Sequence, residues 1–156
     1  MKFKTLTPIF VLPLVPVVAL ALALSTGSAS VAASSEGSKP LRLIKECPEY
    51  TGQAGDFCTI TASSLRRIPI GSRFLYSQAA GVPEGLLDSN VVLDAGDGNR
   101  AVGRCTLELA SQIGLCTFSD GLGTLVGFHA RLNVYCPGDG IVCDVRGTYS
   151  FDRDRD

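Results

Sequence analysis

GLGTLVGFHARLNVYCPGDGIVCDVRGTYSF, residues 121–151, decides the fold of this chain. Alternate residues Val126, Phe128, Ala130, Leu132 and Val134 are apolar, and His129, Arg131, Asn133 and Tyr135 lie between them. That period of two is the mark of a strand with one dry face. Pro137-Gly138-Asp139-Gly140 follows, and an Asp-Gly pair supplies the positive backbone angles of a tight hairpin turn. The alternation then resumes with Cys143, Val145, Gly147, Tyr149 and Phe151. Taking Asp139-Gly140 as a two-residue loop places Cys136 opposite Cys143, Val134 opposite Val145, Leu132 opposite Gly147, Ala130 opposite Tyr149 and Phe128 opposite Phe151. Large side chains then meet small ones across the pair, which lets one face interdigitate. Asn133 meets Arg146 and Tyr135 meets Asp144 on the polar face. One register serves turn, face polarity and a cysteine pair together, so the class is an antiparallel sheet with one wet side.

Working outward, the N-terminal end belongs to another kind of segment. Lys2 and Lys4 precede an apolar run from Phe10 to Leu24, and small polar residues follow to Ser35. This order is that of a secretory signal peptide, residues 1–33, with cleavage expected after Ser30 or Ala33. The run is shorter than the roughly 20 residues a spanning helix needs. Residues 34–46 read as a polar N-terminal tail, 47–152 as a single domain and 153–156 as a charged tail. Loss of Lys2 and Lys4 leaves the chain mildly acidic, which argues against nucleic acid as a partner. After cleavage nothing is expected to hold the chain to a membrane, and the expected location is extracellular.

All six cysteines follow the leader: Cys47, Cys58, Cys105, Cys116, Cys136 and Cys143. An even count behind a signal peptide reads as disulfides. Fifteen pairings are open. The spacings favour the sequential one, 47–58, 105–116 and 136–143, because each pair brackets a turn. Close Cys-x-x-Cys pairs of the zinc type are missing, and no metal or cofactor is expected.

Further strands are expected at 57–62, 71–78, 89–94, 100–109 and 113–120, with a glycine-rich loop at 47–58 and a loop at 79–87. If Cys105 faces Cys116, Leu107 meets Gly114 and Gly103 meets Phe118, again small against large. Asp94, Asp97 and Asn99 have a loose calcium-like spacing, but a turn rich in Asp, Gly and Asn forms without metal. Arg66 and Arg67 read as a solvated edge before an anion site. No helical period occurs after the leader. About eight short strands must hide their edges, and a closed antiparallel β-barrel stapled by disulfides does so.

The run from Cys116, CTFSDGLGTLVGFHARLNV, resembles the signature of the allene oxide cyclase and dirigent-like barrels. Gly121, Gly123, Leu125, Gly127 and Val134 occupy the positions of its glycine-spaced turn and strand end. The resemblance covers roughly residues 57–151 and implies an eight-stranded antiparallel barrel with a ligand cavity. It further implies a ligand such as a lipid epoxide or a phenolic, positioned by shape; no active-site residue is carried over.

Chemistry-bearing residues are few. His129 is the one histidine, and G-x-S-x-G is absent. If the apolar face fills the barrel, His129 is a surface residue. If the polar face lines it, His129, Arg131, Asn133, Asp144 and Arg146 form a charged wall suited to acid–base work or an anionic ligand. Phe74, Tyr76, Phe118, Phe128, Leu132, Tyr149 and Phe151 are the candidate lumen or core set. An eight-stranded barrel can be filled by such side chains or can hold one small ligand. Two functions follow: a secreted barrel binding a small apolar ligand, or a partner through its loops, or an isomerase- or cyclase-like enzyme positioning an apolar molecule in its lumen.

Overall fold

The structure, a computed structural model, describes residues 37–152. The leader with its two cleavage sites and the tail at 153–156 lie outside the described residues. Eight strands follow in order: β1 (Lys39–Glu46), β2 (Phe57–Ser63), β3 (Arg73–Tyr76), β4 (Leu86–Asp94), β5 (Arg100–Glu108), β6 (Ile113–Leu122), β7 (Phe128–Tyr135) and β8 (Val142–Phe151). Each pairs antiparallel with the next, and β1 pairs with β8, so the sheet closes into a barrel with no free edge. Two short 3-10 turns, Pro83–Gly85 and Gly123–Leu125, are the helical pieces among the described residues.

The β7–β8 register is the one the alternation dictates: Phe128 faces Phe151, Ala130 Tyr149, Leu132 Gly147 and Val134 Val145. The turn differs. Strand pairing stops at Tyr135, and the connection is wider than two residues. Gly138 and Gly140 take positive φ, whereas Asp139 does not. The Gly140 amide donates to the Pro137 carbonyl at 3.4 Å. The register survives because the inward faces and the Cys136–Cys143 disulfide fix it independently of the turn. At β5–β6, Cys105 faces Cys116, Leu107 faces Gly114 and Gly103 faces Phe118.

The largest correction is at the start. Residues 34–46 read as a polar tail, yet Lys39–Glu46 is a barrel strand bonded to β2 and β8. Its charged residues Arg42 and Glu46 mask a period of two, because Leu41, Leu43 and Lys45 all point inward. The strand expected at 71–78 shortens to Arg73–Tyr76, and the one at 89–94 starts earlier, at Leu86. The long strand expected from Val126 begins only at Phe128, because Gly127 takes φ +69° and breaks the ladder.

The dry face fills the barrel. Leu41, Leu43, Ile60, Phe74, Val91, Leu93, Phe118, Phe128, Leu132 and Val145 are buried. Phe74 meets Phe118 edge to face with centroids 5.5 Å apart, and Phe128 packs on Phe151 at 5.4 Å. One end is plugged: Ile68 from the β2–β3 connection and Leu125 from the β6–β7 turn are fully buried there. At that end Arg67 lays its guanidinium over the Phe151 ring at 4.3 Å and donates from Nη1 to the Thr124 carbonyl at 3.2 Å. Arg67 thus braces the plug. All three disulfides, Cys47–Cys58, Cys105–Cys116 and Cys136–Cys143, sit at the opposite end.

Candidate functional site

The disulfide end holds a small cavity inside the barrel with polar side chains around it; wider grooves of about 310 Å³ beside Arg67 and Phe151 and about 680 Å³ beside Ile113 and Arg146 are open to the outside. The cavity at the disulfide end measures about 50 Å³. Leu87, Leu107, Val134, five of the six disulfide cysteines, Thr106, Lys45, Tyr50 and Tyr76 line it. Each of these comes from the strand ends or from the loop at 47–56. β1 carries Lys45 inward by the same alternation that buries Leu41 and Leu43. β3 carries Phe74 and Tyr76 inward beside it.

Lys45 is only 3 % exposed. Its Nζ donates to Tyr76 Oη at 2.8 Å and lies 5.1 Å from the centre of the Phe74 ring. The ion pairs among the described residues are Arg100–Asp94, Arg104–Asp88, His129–Asp152 and Arg146–Asp144, so Lys45 has no carboxylate there. Burying an ammonium without a counter-charge is costly, and the Tyr76 hydroxyl and the Phe74 ring offset part of that cost.

Tyr50 closes the cavity from the loop between β1 and β2, its ring 4.7 Å from that of Tyr76. Its hydroxyl is buried and has no hydrogen-bond partner. Burial, with the neighbouring Tyr76 and Asp56 adding to it, pushes the Tyr50 phenol up to about 12. The hydroxyl therefore stays a donor throughout the physiological range. Asp56 holds the loop that delivers Tyr50. Its Oδ2 accepts from the Thr51 amide at 2.6 Å, the Thr51 hydroxyl at 3.0 Å and the Gln53 amide at 3.0 Å. Those bonds, the Thr51 amide foremost, lower the Asp56 carboxyl below its usual range.

The seven candidate lumen or core residues all contribute to the interior. Phe74, Tyr76, Phe118, Phe128 and Leu132 are buried, and Tyr149 and Phe151 pack against them half-buried. Of these, only Tyr76 touches the cavity. His129, Arg131, Asn133, Asp144 and Arg146 stand on the outer face, so the charged-wall alternative does not form. His129 Nε2 lies 3.0 Å from the exposed Asp152, and Arg146 grips Asp144. Gly121, Gly123 and Gly127 shape the plugged end, away from the cavity. Asp94 accepts from the Gly96 amide at 3.0 Å and pairs with Arg100, closing its own turn. Among the described residues no group of three or more His, Cys, Asp or Glu side chains is placed to hold a metal ion.

Sequence reasoning missed Lys45 and Tyr50. Lys45 had a signal, its even spacing from Leu41 and Leu43. Tyr50 had none, since it lies in an irregular loop. No family model matches this chain, and no curated protein or solved structure matches it significantly.

Proposed function

We propose that this chain is a secreted, disulfide-stapled binding barrel that holds a small, largely apolar ligand at the mouth ringed by its disulfides. The observation that carries this reading is the cavity at that end, walled by Leu87, Leu107, Val134 and the disulfides. The turns around the mouth also leave Leu109 and Ile141 exposed, next to the lining residues Leu107 and Gly140. Apolar side chains left in water beside a cavity are the usual setting of a ligand. The expected leader and three disulfides support an oxidising, extracellular setting. No helix among the described residues is long and apolar enough to cross a membrane.

The resemblance to allene oxide cyclase and dirigent-like barrels supports a ligand but not turnover inside the barrel. A lipid epoxide or phenolic needs a lumen of a few hundred Å³, and the cavity is about 50 Å³ because phenylalanines occupy the space below it. The ligand's end enters the cavity and its body lies across the mouth.

Titration of the isotopically labelled, disulfide-bonded protein with 1-octanol and with octanoate tests the reading. Amide shifts concentrated in 47–52, 105–109 and 136–143 are expected with at least one of the two. Absence of shifts with both, or shifts confined to the plugged end, overturns it.

A further inference from the structure

Three polar side chains of the cavity, Lys45, Tyr50 and Tyr76, have protons to donate, and a fourth, Thr106, spends its own on the Leu115 carbonyl. Lys45 has three N–H groups, of which one goes to Tyr76 Oη. The Tyr50 hydroxyl has no partner at all. The Tyr76 hydroxyl accepts from Lys45, and its other neighbour is Cys58 Sγ at 3.8 Å. That sulfur is in a disulfide and carries no hydrogen, so Tyr76 is the donor there, to a weak acceptor. No Asp or Glu lines the cavity. An ammonium and two phenols thus stand around a small, largely apolar cavity with no carboxylate in its lining; Asp56, the carboxylate that acts on Tyr50, is tied to the Thr51 and Gln53 amides. Hydrogen bonds to charge gain strength in such surroundings, and unmade ones cost most there.

We propose that the space between Lys45, Tyr50 and Tyr76 is an anion site, and that the ligand of this barrel enters it with a carboxylate group. The inference rests on the reading of the mouth as a ligand site and specifies its chemistry. One lysine balances one negative charge, which favours a monoanion over a phosphate. A water-sized occupant takes roughly 10–15 Å³ of such space, so about 50 Å³ suits the three heavy atoms of a carboxylate. Lys45 Nζ takes one carboxylate oxygen, and a turn of the Tyr50 ring, whose hydroxyl is closed off from the cavity as it stands, brings Oη to the other and gives the orphan hydroxyl its partner. Tyr76 positions Lys45. The apolar remainder of the ligand lies against Leu87, Leu107 and Val134 and out past the rim.

Calorimetry on the disulfide-bonded protein with octanoate, 1-octanol and acetate tests this. Octanoate is expected to bind at least tenfold more tightly than 1-octanol, although both carry the same chain length. Lys45→Met is expected to bring the two within about twofold. Tyr50→Phe, a loop change that leaves the barrel wall intact, is expected to weaken octanoate several-fold and 1-octanol less, because a hydrogen bond to a charged acceptor is the stronger one. Acetate competing with octanoate at equal affinity keeps the anion site and assigns it to a free small carboxylate. Equal affinity of octanoate and 1-octanol for the wild-type protein overturns the anion site while leaving an apolar mouth. Failure of all three probes to bind overturns both readings. The wild-type comparison needs no variant, so a Lys45→Met protein that does not fold leaves the result decided.

Discussion

Tyr50 is the residue whose environment makes the clearest demand. A buried hydroxyl without a partner forfeits its hydrogen bonds to water and gains none in return. Tyr50→Phe is therefore expected to stabilise the unliganded protein by about 1 kcal/mol, read from chemical denaturation. The same residue sets an alkaline limit. Its folded phenol is raised to about 12 against an ordinary value near 10. The folded form then binds the proton more tightly than the unfolded chain. This contribution to stability is complete below pH 10 and falls away as the pH rises from 10 towards 12. Thermal melts across that window should show a steep loss of stability in the wild type and a shallower one in Tyr50→Phe. Equal slopes would show that the hydroxyl is hydrated, not buried.

At the scale of elements, the barrel turns on close approaches that only glycine permits. A Cβ at Gly147 in β8 would run into the Arg131 carbonyl and the Leu132 backbone of β7. Gly147→Ala should thus cost about 1–3 kcal/mol in denaturant unfolding, although it adds one methyl group. The loop joining β1 to β2 depends instead on one carboxylate. Asp56 has a lowered folded pKa because three donors hold its ionised form. Its stabilisation is present above the unfolded value of about 4 and lost as pH falls through the lowered folded one. Hydrogen exchange at the Thr51 and Gln53 amides, taken relative to its intrinsic rate at each pH, should quicken selectively on that descent. In Asp56→Asn it should already be fast at neutral pH, and unchanged protection would remove Asp56 from the role.

For the molecule as a whole, the two ends of the barrel are held by different means. The plugged end relies on packing, with Ile68, Leu125, Phe128 and Phe151 stacked under Arg67. The mouth relies on disulfides that close short loops, each contributing about 2–3 kcal/mol by restricting the unfolded chain. Replacing Cys136 and Cys143 together by serine should lower the unfolding free energy by about that amount. It should also raise exchange of the mouth amides more than those beside Ile68 and Leu125. A uniform rise would mean that the disulfides stabilise the barrel without shaping its mouth.

The sequence by itself determined the class and the β5–β6 and β7–β8 registers, and its spacings favoured the cysteine pairing that forms; which face turns inward stayed open. These are local properties: a period of two and a cysteine pair astride each turn constrain residues close together in the chain. It left β1 unread, because Arg42, Lys45 and Glu46 look solvated until β2 and β8 close around them. It left open whether the lumen was filled, since that depends on how phenylalanines from different strands meet in space. The donor-lined cavity was out of its reach for the same reason. Lys45, Tyr50 and Tyr76 come from β1, a loop and β3, and only closure of the barrel, which buries Lys45 in a lining without a carboxylate, turns three ordinary residues into a site.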